Sequence, residues 1–275
     1  MLKRLLRHKS ARIGVVLVGV VILVAILAPQ IAPYDPYEQV LRNRLDPPSN
    51  SHWFGTDGHG RDILSRIIYG TRTSLLIGAL SVSLGLGTGF LLGLVSGYMG
   101  GTVDAVIMRI MDIMISFPGI LMALVVVSVL GPGLYNVMFA IAIRSIPIFA
   151  RLIRSSVLEV REKDYILSAR AVGCPDLRVM MRHIVPNCVA PLLVLASIRF
   201  ATSILSAAGL SFLGLGAQPP LADWGADLSD GHRYVTTAWW VATFPGLAIM
   251  FGVLGFNLVG DGMRDVLDPR MRRRL

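Results

Sequence analysis

The chain has 275 residues, of which 54% are hydrophobic and only 16% are charged, and its mean hydropathy is +0.65. A soluble domain normally carries about 25% charged residues, so this composition excludes an ordinary soluble enzyme. The formal net charge of +9 at pH 7 would suit a nucleic-acid partner, but most basic residues flank apolar blocks, where they act as topology anchors. We therefore predict an all-α, polytopic integral membrane protein that binds no nucleic acid.

Six segments are long and apolar enough to cross a bilayer, which takes about 20 residues as a helix. They are Ile13–Ile31, Ser74–Gly97, Ile113–Leu130, Leu134–Ala150, Cys188–Leu210 and Trp239–Gly260. The first follows a basic cluster, as a secretory signal does, but its small residues run directly into Pro29, a poor setting for cleavage. We expect it to be retained as an anchor, which gives a bundle of six transmembrane helices.

The distribution of Lys and Arg predicts the orientation of the spans. With the N-terminus in the cytoplasm, 18 of the 26 basic residues fall on the cytoplasmic side, six fall outside, and Arg144 and Arg199 fall within spans. Both termini are therefore expected in the cytoplasm. The exception is the outer loop 32–73, whose second half, Arg61–Tyr69, has the pattern of an amphipathic helix at the membrane interface.

Glycines and prolines mark the expected packing of the spans. The second span has glycines at positions 85, 89, 93 and 97, a spacing of four that places them on one helical stripe. Such a stripe predicts the close approach of another helix. Spans three to six each contain a proline, at positions 118, 147, 191 and 245, so we expect bent helices there.

The stretch between the fourth and fifth spans, residues 155–186, is polar and strongly charged. Apolar residues at 157, 158, 160, 167 and 171 recur at roughly helical spacing, and Gly173 then breaks the pattern. Pro175 and Asp176 suit the first turn of a second helix, because proline needs no donor there and a carboxylate complements the helix dipole. The pattern predicts two short helices, the second ending near Pro186, that form a knob suited to binding another protein.

Within this stretch, Leu167-Ser-Ala-Arg-Ala-Val-Gly173 and the later His183-Ile-Val-Pro186 resemble the EAA loop of ABC importer permeases. The family pattern places its second alanine at Ala169, its glycine at Gly173 and its proline at Pro186. This chain departs from the pattern at Leu167, Ser168 and His183. By this resemblance, the residues expected to couple the chain to ATPases are Tyr165, Leu167, Ser168, Ala169, Gly173, Asp176, His183 and Pro186.

Three further stretches resemble the second permease of dipeptide, oligopeptide, glutathione and nickel importers. They are Trp53-Phe-Gly-Thr-Asp-Gly-His-Gly-Arg-Asp62, Leu210-Ser-Phe-Leu-Gly-Leu-Gly-Ala-Gln-Pro-Pro220, and Phe256-Asn-Leu-Val-Gly-Asp-Gly-Met-Arg-Asp-Val-Leu-Asp-Pro-Arg270. The resemblance implies a type I ABC importer permease in the bacterial inner membrane that imports di- or oligopeptides, with glutathione or nickel as the alternative. We divide the chain into two predicted regions: residues 1–73, with the N-terminal tail, the first anchor and the outer loop, and residues 74–275, a core permease domain of five spans that includes the loop 155–186.

The resemblance also implies partners: a second permease that is expected to be a different polypeptide, two cytoplasmic ATPase subunits and an extracytoplasmic binding protein. The chain has no G-x-x-x-x-G-K-[ST] loop. We therefore expect no enzymatic activity and no cofactor on this chain, with ATP and Mg bound by the partner ATPases.

Arg144 and Arg199 are candidate residues of the translocation pathway, because intramembrane charges are costly and usually functional. They would attract the carboxylate of a peptide in transit, or pair with carbonyl groups or a partner subunit. His52 and His59 indicate a metal site only weakly, and loop histidines are the simpler interpretation. An ion-coupled secondary transporter is a remote alternative, since no predicted span contains Asp or Glu. An intramembrane hydrolase would need a base such as histidine near its nucleophile, and no histidine lies within a predicted span.

Overall fold

The structure, a computed structural model, describes residues 9–267. In this range the chain forms ten α-helices, a 3₁₀ turn at Leu41–Asn43, a π-helical turn at Met180–Ile184, and no β-strand. The helices are α1 (Lys9–Ile31), α2 (Ile63–Met99), α3 (Gly101–Ser116), α4 (Gly119–Leu130), α5 (Leu134–Arg161), α6 (Asp164–Ala171), α7 (Asp176–Val179), α8 (Val185–Phe212), α9 (Trp224–His232) and α10 (Trp240–Leu267). The predicted all-α class is confirmed. Several basic residues used for the orientation, those before Lys9 and after Leu267, lie outside the described residues.

Five helical segments are long and apolar enough to cross a membrane: α1, α2, α5, the run from α7 through α8, and α10. The pair α3 and α4 passes the same test only when the two are taken together, because they are bent by 93° at their break. Counted as one span, this pair completes the six that the sequence predicts.

The third predicted span, Ile113–Leu130, is wrong as a single helix. Its first residues belong to α3, which ends at Ser116, and the rest form α4. Pro118 disfavours a helical conformation for the residue before it, and Phe117 accordingly has φ −84° and ψ 134°. The prolines at 147, 191 and 245 lie inside α5, α8 and α10 without ending them.

The interfacial helix predicted for Arg61–Tyr69 is also wrong. Residues from Ile63 onward form the first turns of α2, which continues unbroken to Met99. The polar side chains expected to face water are buried, and Arg66 is only 3% exposed. They pack against the chain that follows α8, where the Trp224 indole donates to the Ile67 carbonyl at 3.0 Å. The domain boundary at residue 73 falls inside α2, and that division stays a prediction.

The centre of the bundle is the crossing of α2 and α5. The glycine stripe at 85, 89, 93 and 97 faces α5: a Cβ at Gly89 would lie 2.6 Å from the Phe149 Cβ, and one at Gly97 would lie 2.8 Å from the Val157 Cβ. Distances this short mean that the two backbones touch where a side chain would otherwise hold them apart. The predicted close approach is confirmed, and its partner is α5.

The first helix packs along the last. A Cβ at Gly14 of α1 would lie 2.7 Å from the Leu258 Cβ of α10. At the other end of α1, the guanidinium of Arg72 donates to the carbonyls of Ala25 at 2.5 Å and Ile26 at 3.1 Å, which ties α1 to α2. These contacts integrate α1 into the bundle, and its retention as an anchor stays a prediction.

Candidate coupling segment and mid-membrane arginine pair

The connecting segment, residues 164–184, joins α5 to α8. It contains α6, a turn at Val172–Pro175, α7 and the π-helical turn. The predicted second helix does not end near Pro186, because it continues through the π-helical turn into α8, where Pro186 occupies the first turn. Residues 157–160, which the apolar pattern assigned to the first short helix, are instead the last turns of α5.

Gly173 gives the turn of the connecting segment its shape. Its φ of +80° lies in the left-handed region, where L side chains are strained. Its N–H donates to the Arg170 carbonyl at 2.9 Å, and the N–H of Cys174 donates to the Ala169 carbonyl at 3.0 Å. These bonds satisfy carbonyl groups at the end of α6 in the manner of a glycine helix cap. A Cβ built at Gly173 meets nothing within 4 Å, so backbone conformation, not lack of space, requires glycine.

One side of the connecting segment is anchored in the bundle. Ile166, Val179 and Ile184 are fully buried and join an apolar cluster with side chains of α2, α5 and α8. The other side has apolar side chains exposed at the protein surface, and Val172 is 84% exposed. The exposed apolar residues are Tyr165, Leu167, Val172, Leu177 and Met181. Exposed apolar side chains of this kind suit contact with another protein or with the membrane.

Tyr98, at the end of α2, holds the connecting segment from the side. Its hydroxyl donates to the Asp176 carboxylate, and the Arg170 guanidinium lies 5.1 Å from its ring centroid. These contacts could not be predicted from local sequence patterns, because Tyr98 and Asp176 are 78 positions apart. The rings of Tyr165 and His183 lie 6.5 Å apart, so these two predicted residues are close together.

Of the remaining predicted coupling residues, Ser168 and Ala169 lie on the same segment and Pro186 lies just beyond it, in the first turn of α8. Ser168 and Pro186 are exposed, and Ala169 is half-buried behind the helix cap. The structure therefore brings the predicted set onto one end of the bundle, while its coupling role stays a prediction.

The arginine pair, Arg144 of α5 and Arg199 of α8, lies within the spans. The Arg144 guanidinium donates to the Ser206 hydroxyl at 3.1 Å, and Arg199 lies seven residues, about two helical turns, before Ser206 on α8. The Arg199 Nε is shut off from solvent and has no hydrogen-bond partner among the described residues. Within residues 9–267, neither guanidinium forms an ion pair with a carboxylate, whereas Arg66, Arg151 and Arg154 do.

A buried ionic cluster lies where α9 packs against the start of α2. The Nε and NH2 of Arg66 donate to Asp227 Oδ1 at 2.8 Å and 2.5 Å, and Arg61 Nε donates to Asp57 at 2.6 Å. Burial raises the pKa of Asp227 to about 6, although the charge of Arg66 opposes the shift. The second carboxylate oxygen of Asp227 has no hydrogen-bond partner among the described residues, which agrees with that direction. The cluster fastens the outer loop and α9 onto α2.

His52 and His59 lie beside this cluster. His52 Nδ1 is 2.9 Å from an Asp62 oxygen, and His59 Nδ1 is 3.2 Å from an Arg61 nitrogen. The described part of the chain contains no group of three or more His, Cys, Asp or Glu side chains placed to hold a metal ion.

The apolar helical bundle, with five spans or six when the bent pair is counted as one, is that of a multi-pass membrane protein, and the comparisons with known proteins give its class as a membrane permease. The family profile described as "Binding-protein-dependent transport system inner membrane component" matches residues 89–273. A second profile, "N-terminal TM domain of oligopeptide transport permease C", matches residues 1–48. The chain belongs to the binding-protein-dependent transport system family, the inner membrane permease subunits of ABC importers, and the resemblance seen in its motifs is confirmed.

Curated relatives match almost the whole chain. The dipeptide transport system permease protein DppC of Alkalihalophilus pseudofirmus is 48% identical over 98% of this chain and 89% of its own length. The di/tripeptide transport system permease protein DppC of Pseudomonas aeruginosa is 45% identical over 96% and 89%. The glutathione transport system permease protein GsiD of Pectobacterium atrosepticum is 47% identical over 98% and 90%.

Solved structures show the same fold at low identity. The MetNI methionine ABC transporter in inward-facing conformations aligns with a TM-score of 0.61 and 17% identity, over 74% of this chain and 96% of that one. An amino acid ABC transporter with histidines aligns with a TM-score of 0.55 and 18% identity, over 76% and 94%.

Proposed function

We propose that this chain imports di- or oligopeptides across the bacterial inner membrane as one permease of an ABC importer. Relatives at 45% to 48% identity named for dipeptide and di/tripeptide transport support a peptide cargo. Glutathione is the second candidate, because a relative named for glutathione transport is 47% identical. Nickel as a candidate cargo is supported only by the sequence motifs that resemble those of nickel importers.

The two-sided structure of the connecting segment carries the proposed mechanism. Partner ATPases bind its exposed apolar side, around Leu167, Val172 and Leu177. The buried side chains on the opposite face transmit their movement, because they pack directly against α2, α5 and α8. ATP-driven closure of the ATPases then tilts α5 and α8, which opens the pathway outward, and hydrolysis restores the inward state.

A cleft supports a pathway beside the same helices. Its volume is about 570 Å³, and it lies between α5, α8 and α10 at the end that carries the connecting segment. The wall combines charged Glu159, Lys163 and Arg264 with apolar Pro191 and Ile198. Both charge signs beside apolar surface suit a peptide, which carries an ammonium and a carboxylate group.

The rest of the assembly follows from the proposed role. The connecting segment and both termini face the cytoplasm, which agrees with the exposed Arg170, Arg178 and Arg182 on that segment. A second, different permease completes the pathway, a binding protein delivers cargo from outside, and two ATPases bind ATP and Mg. Catalysis lies on those ATPases and not on this chain.

The test is uptake of labelled di- and oligopeptides, glutathione and nickel in cells with and without this chain. We expect loss of peptide uptake on deletion and its recovery with the wild type. Gly173→Val should restore neither uptake nor co-purification of the ATPases, because a β-branched residue is strongly strained at a φ of +80°. Gly173→Asn is the matched control, since asparagine tolerates the left-handed region. Unchanged peptide uptake with lost nickel uptake would refute the peptide as the proposed cargo. Normal co-purification of the ATPases with Gly173→Val would refute the connecting segment as the proposed ATPase-binding site.

A further inference from the structure

The break between α3 and α4 lies beside the arginine pair. A Cβ at Gly119, the first residue of α4, would collide with the Nε of Arg144, so the guanidinium rests against the backbone of that first turn. The N-cap residue is Pro118, which gives the first turn no side-chain hydrogen bond. The first N–H groups of a helix lack partners within it and carry the positive end of its dipole.

These groups lie at a similar depth in the bundle. At about 1.5 Å per residue, Gly119 is roughly 16 Å from the far end of α4, Arg144 roughly 15 Å from the start of α5, and Arg199 roughly 20 Å from the end of α8. All three helix ends lie on the same side of the bundle, at the turns Gly131–Gly133 and Leu213–Leu215, which are joined by the Gly133 N–H to the Leu215 carbonyl at 3.1 Å. Half of a bilayer core is about 15 Å, so the groups converge near its midplane.

Arg144 thus touches the first turn of α4, and Arg199 lies about two helical turns before Ser206, the residue that Arg144 contacts on α8. Among the described residues, no carboxylate pairs with either arginine. Two like charges are costly to hold near each other at this depth, unless an anion joins them. Arg144 has one hydroxyl partner, and the Arg199 Nε is buried without any. The arrangement lacks an acceptor that carries a negative charge, and a carboxylate fits two guanidinium groups and backbone N–H donors.

We propose that Arg144, Arg199 and the first turn of α4 form a transient binding site for the C-terminal carboxylate of the peptide cargo, halfway through the membrane. This site rests on the proposed peptide-import function and adds the chemical group that it recognises. We favour the cargo over a fixed carboxylate of a partner subunit, because broken helices whose first turns have free donors form anion-binding substrate sites near the midplane in secondary transporters.

The experiment uses the full transporter with its binding protein in proteoliposomes. Uptake of a labelled dipeptide is compared with uptake of its C-terminal amide for the wild type, Arg144→Gln, Arg199→Gln and Arg144→Lys. We expect both glutamine variants to lower free-acid uptake about tenfold or more, the loss of one charged hydrogen bond, and to leave amide uptake unchanged. Arg144→Lys should restore part of the free-acid uptake. Arg151→Gln is the charge-matched control on the same helix, since Arg151 is exposed and pairs with Asp112, and it should import normally.

A second readout does not depend on whether the binding protein accepts the amide. A photoreactive residue at position 206, whose native hydroxyl lies 3.1 Å from Arg144, should crosslink labelled free-acid dipeptide during ATP turnover. The crosslink should disappear when Arg199→Gln is added.

The outcomes separate this site from the proposed function. If the wild type imports no peptide, the proposed function fails. If the wild type imports peptide and both glutamine variants import the free acid equally well, only the carboxylate site is overturned. Loss of the second permease on purification of either glutamine variant would also overturn it, by assigning the arginines to an ion pair between subunits.

Discussion

The glycine contact between α2 and α5 yields a prediction with an internal control two residues away. Gly89 faces α5, where an added Cβ would lie 2.6 Å from the Phe149 Cβ and 2.7 Å from the Ile146 carbonyl oxygen. Gly87 lies in the same helix, but a Cβ there meets nothing within 4 Å. Gly89→Ala and Gly87→Ala therefore share the change in helix propensity, about 1 kcal/mol in favour of alanine in water, and differ in packing.

The distances set the size of the effect. Ordinary van der Waals contact begins at 3.4 Å, so at Gly89→Ala the helices must part by about 0.8 Å. A gap of that size forfeits a quarter to a half of the dispersion energy of neighbouring contacts. Overpacking of a tight interface costs about 1–3 kcal/mol, and this is the expected difference between the two variants.

Thermal unfolding of both variants in the same detergent measures this difference. At roughly 2–4 °C per kcal/mol, Gly89→Ala should unfold several degrees below Gly87→Ala, and Gly87→Ala should unfold at or above the wild-type temperature. Gly93→Ala should behave like Gly89→Ala, because its Cβ would meet the Ala150 carbonyl oxygen. Equal unfolding temperatures for Gly87→Ala and Gly89→Ala would refute the close approach of α2 and α5.

Two further predictions concern polar contacts. Asp227→Asn should remove a pH dependence: the pKa of the native carboxyl group is raised from 3.8 to about 6, so its contribution to stability is full below about pH 4 and is lost as the pH rises through 6. Between pH 5 and pH 7.5, the free energy of unfolding of the wild type should therefore fall by roughly 1.4 kcal/mol more than that of the variant, as measured by unfolding at both pH values. Equal losses of unfolding free energy would contradict the raised pKa of Asp227. Tyr98→Phe removes the donor to Asp176 but keeps the ring beside Arg170, so we expect less peptide imported per ATP hydrolysed at a nearly unchanged unfolding temperature. An unchanged ratio of uptake to hydrolysis would show that Tyr98 plays no part in coupling.

Features encoded locally were predictable from the sequence. Apolar length alone gave the number of spans, and the spacing of Gly85, Gly89, Gly93 and Gly97 gave the tight helix contact. Features set by distant partners were not. The charges of Arg61–Tyr69 have the same pattern whether they face water or a buried carboxylate, and the partner of Arg66, Asp227, is 161 positions away. Prolines at 118 and 191 look alike in sequence, yet only Pro118 separates two helices.

The candidate site, too, was predictable only where its features are encoded locally. The motif placed Gly173 and its neighbours on a surface segment, because a glycine break and a helix start are local signals. It did not show that α7 continues into α8, since a π-helical turn at Met180–Ile184 leaves the apolar pattern intact. Arg144 and Arg199 were visible as charges within spans, but the contacts of Arg144 with Ser206 and with the first turn of α4 depend on packing.

The packing also indicates how movement would pass through this chain. The apolar cluster beside the connecting segment contains side chains from α2, α5, α6, α7 and the start of α8, so these elements move together. The glycine contact makes α2 and α5 one stiff unit within that group, because backbone touching backbone leaves little room to slide. The sharp break at Phe117–Pro118 separates α4 from α3 by 93°, next to the arginine pair. Under the proposed function, a tilt imposed on the connecting segment would be carried toward the middle of the membrane by α5 and α8, and it would change the distance between Arg144 and the first turn of α4. Under the proposed function, the ATPases would act on cargo affinity through helix position, and a variant such as Gly89→Ala that loosens α2 from α5 should weaken coupling as well as stability.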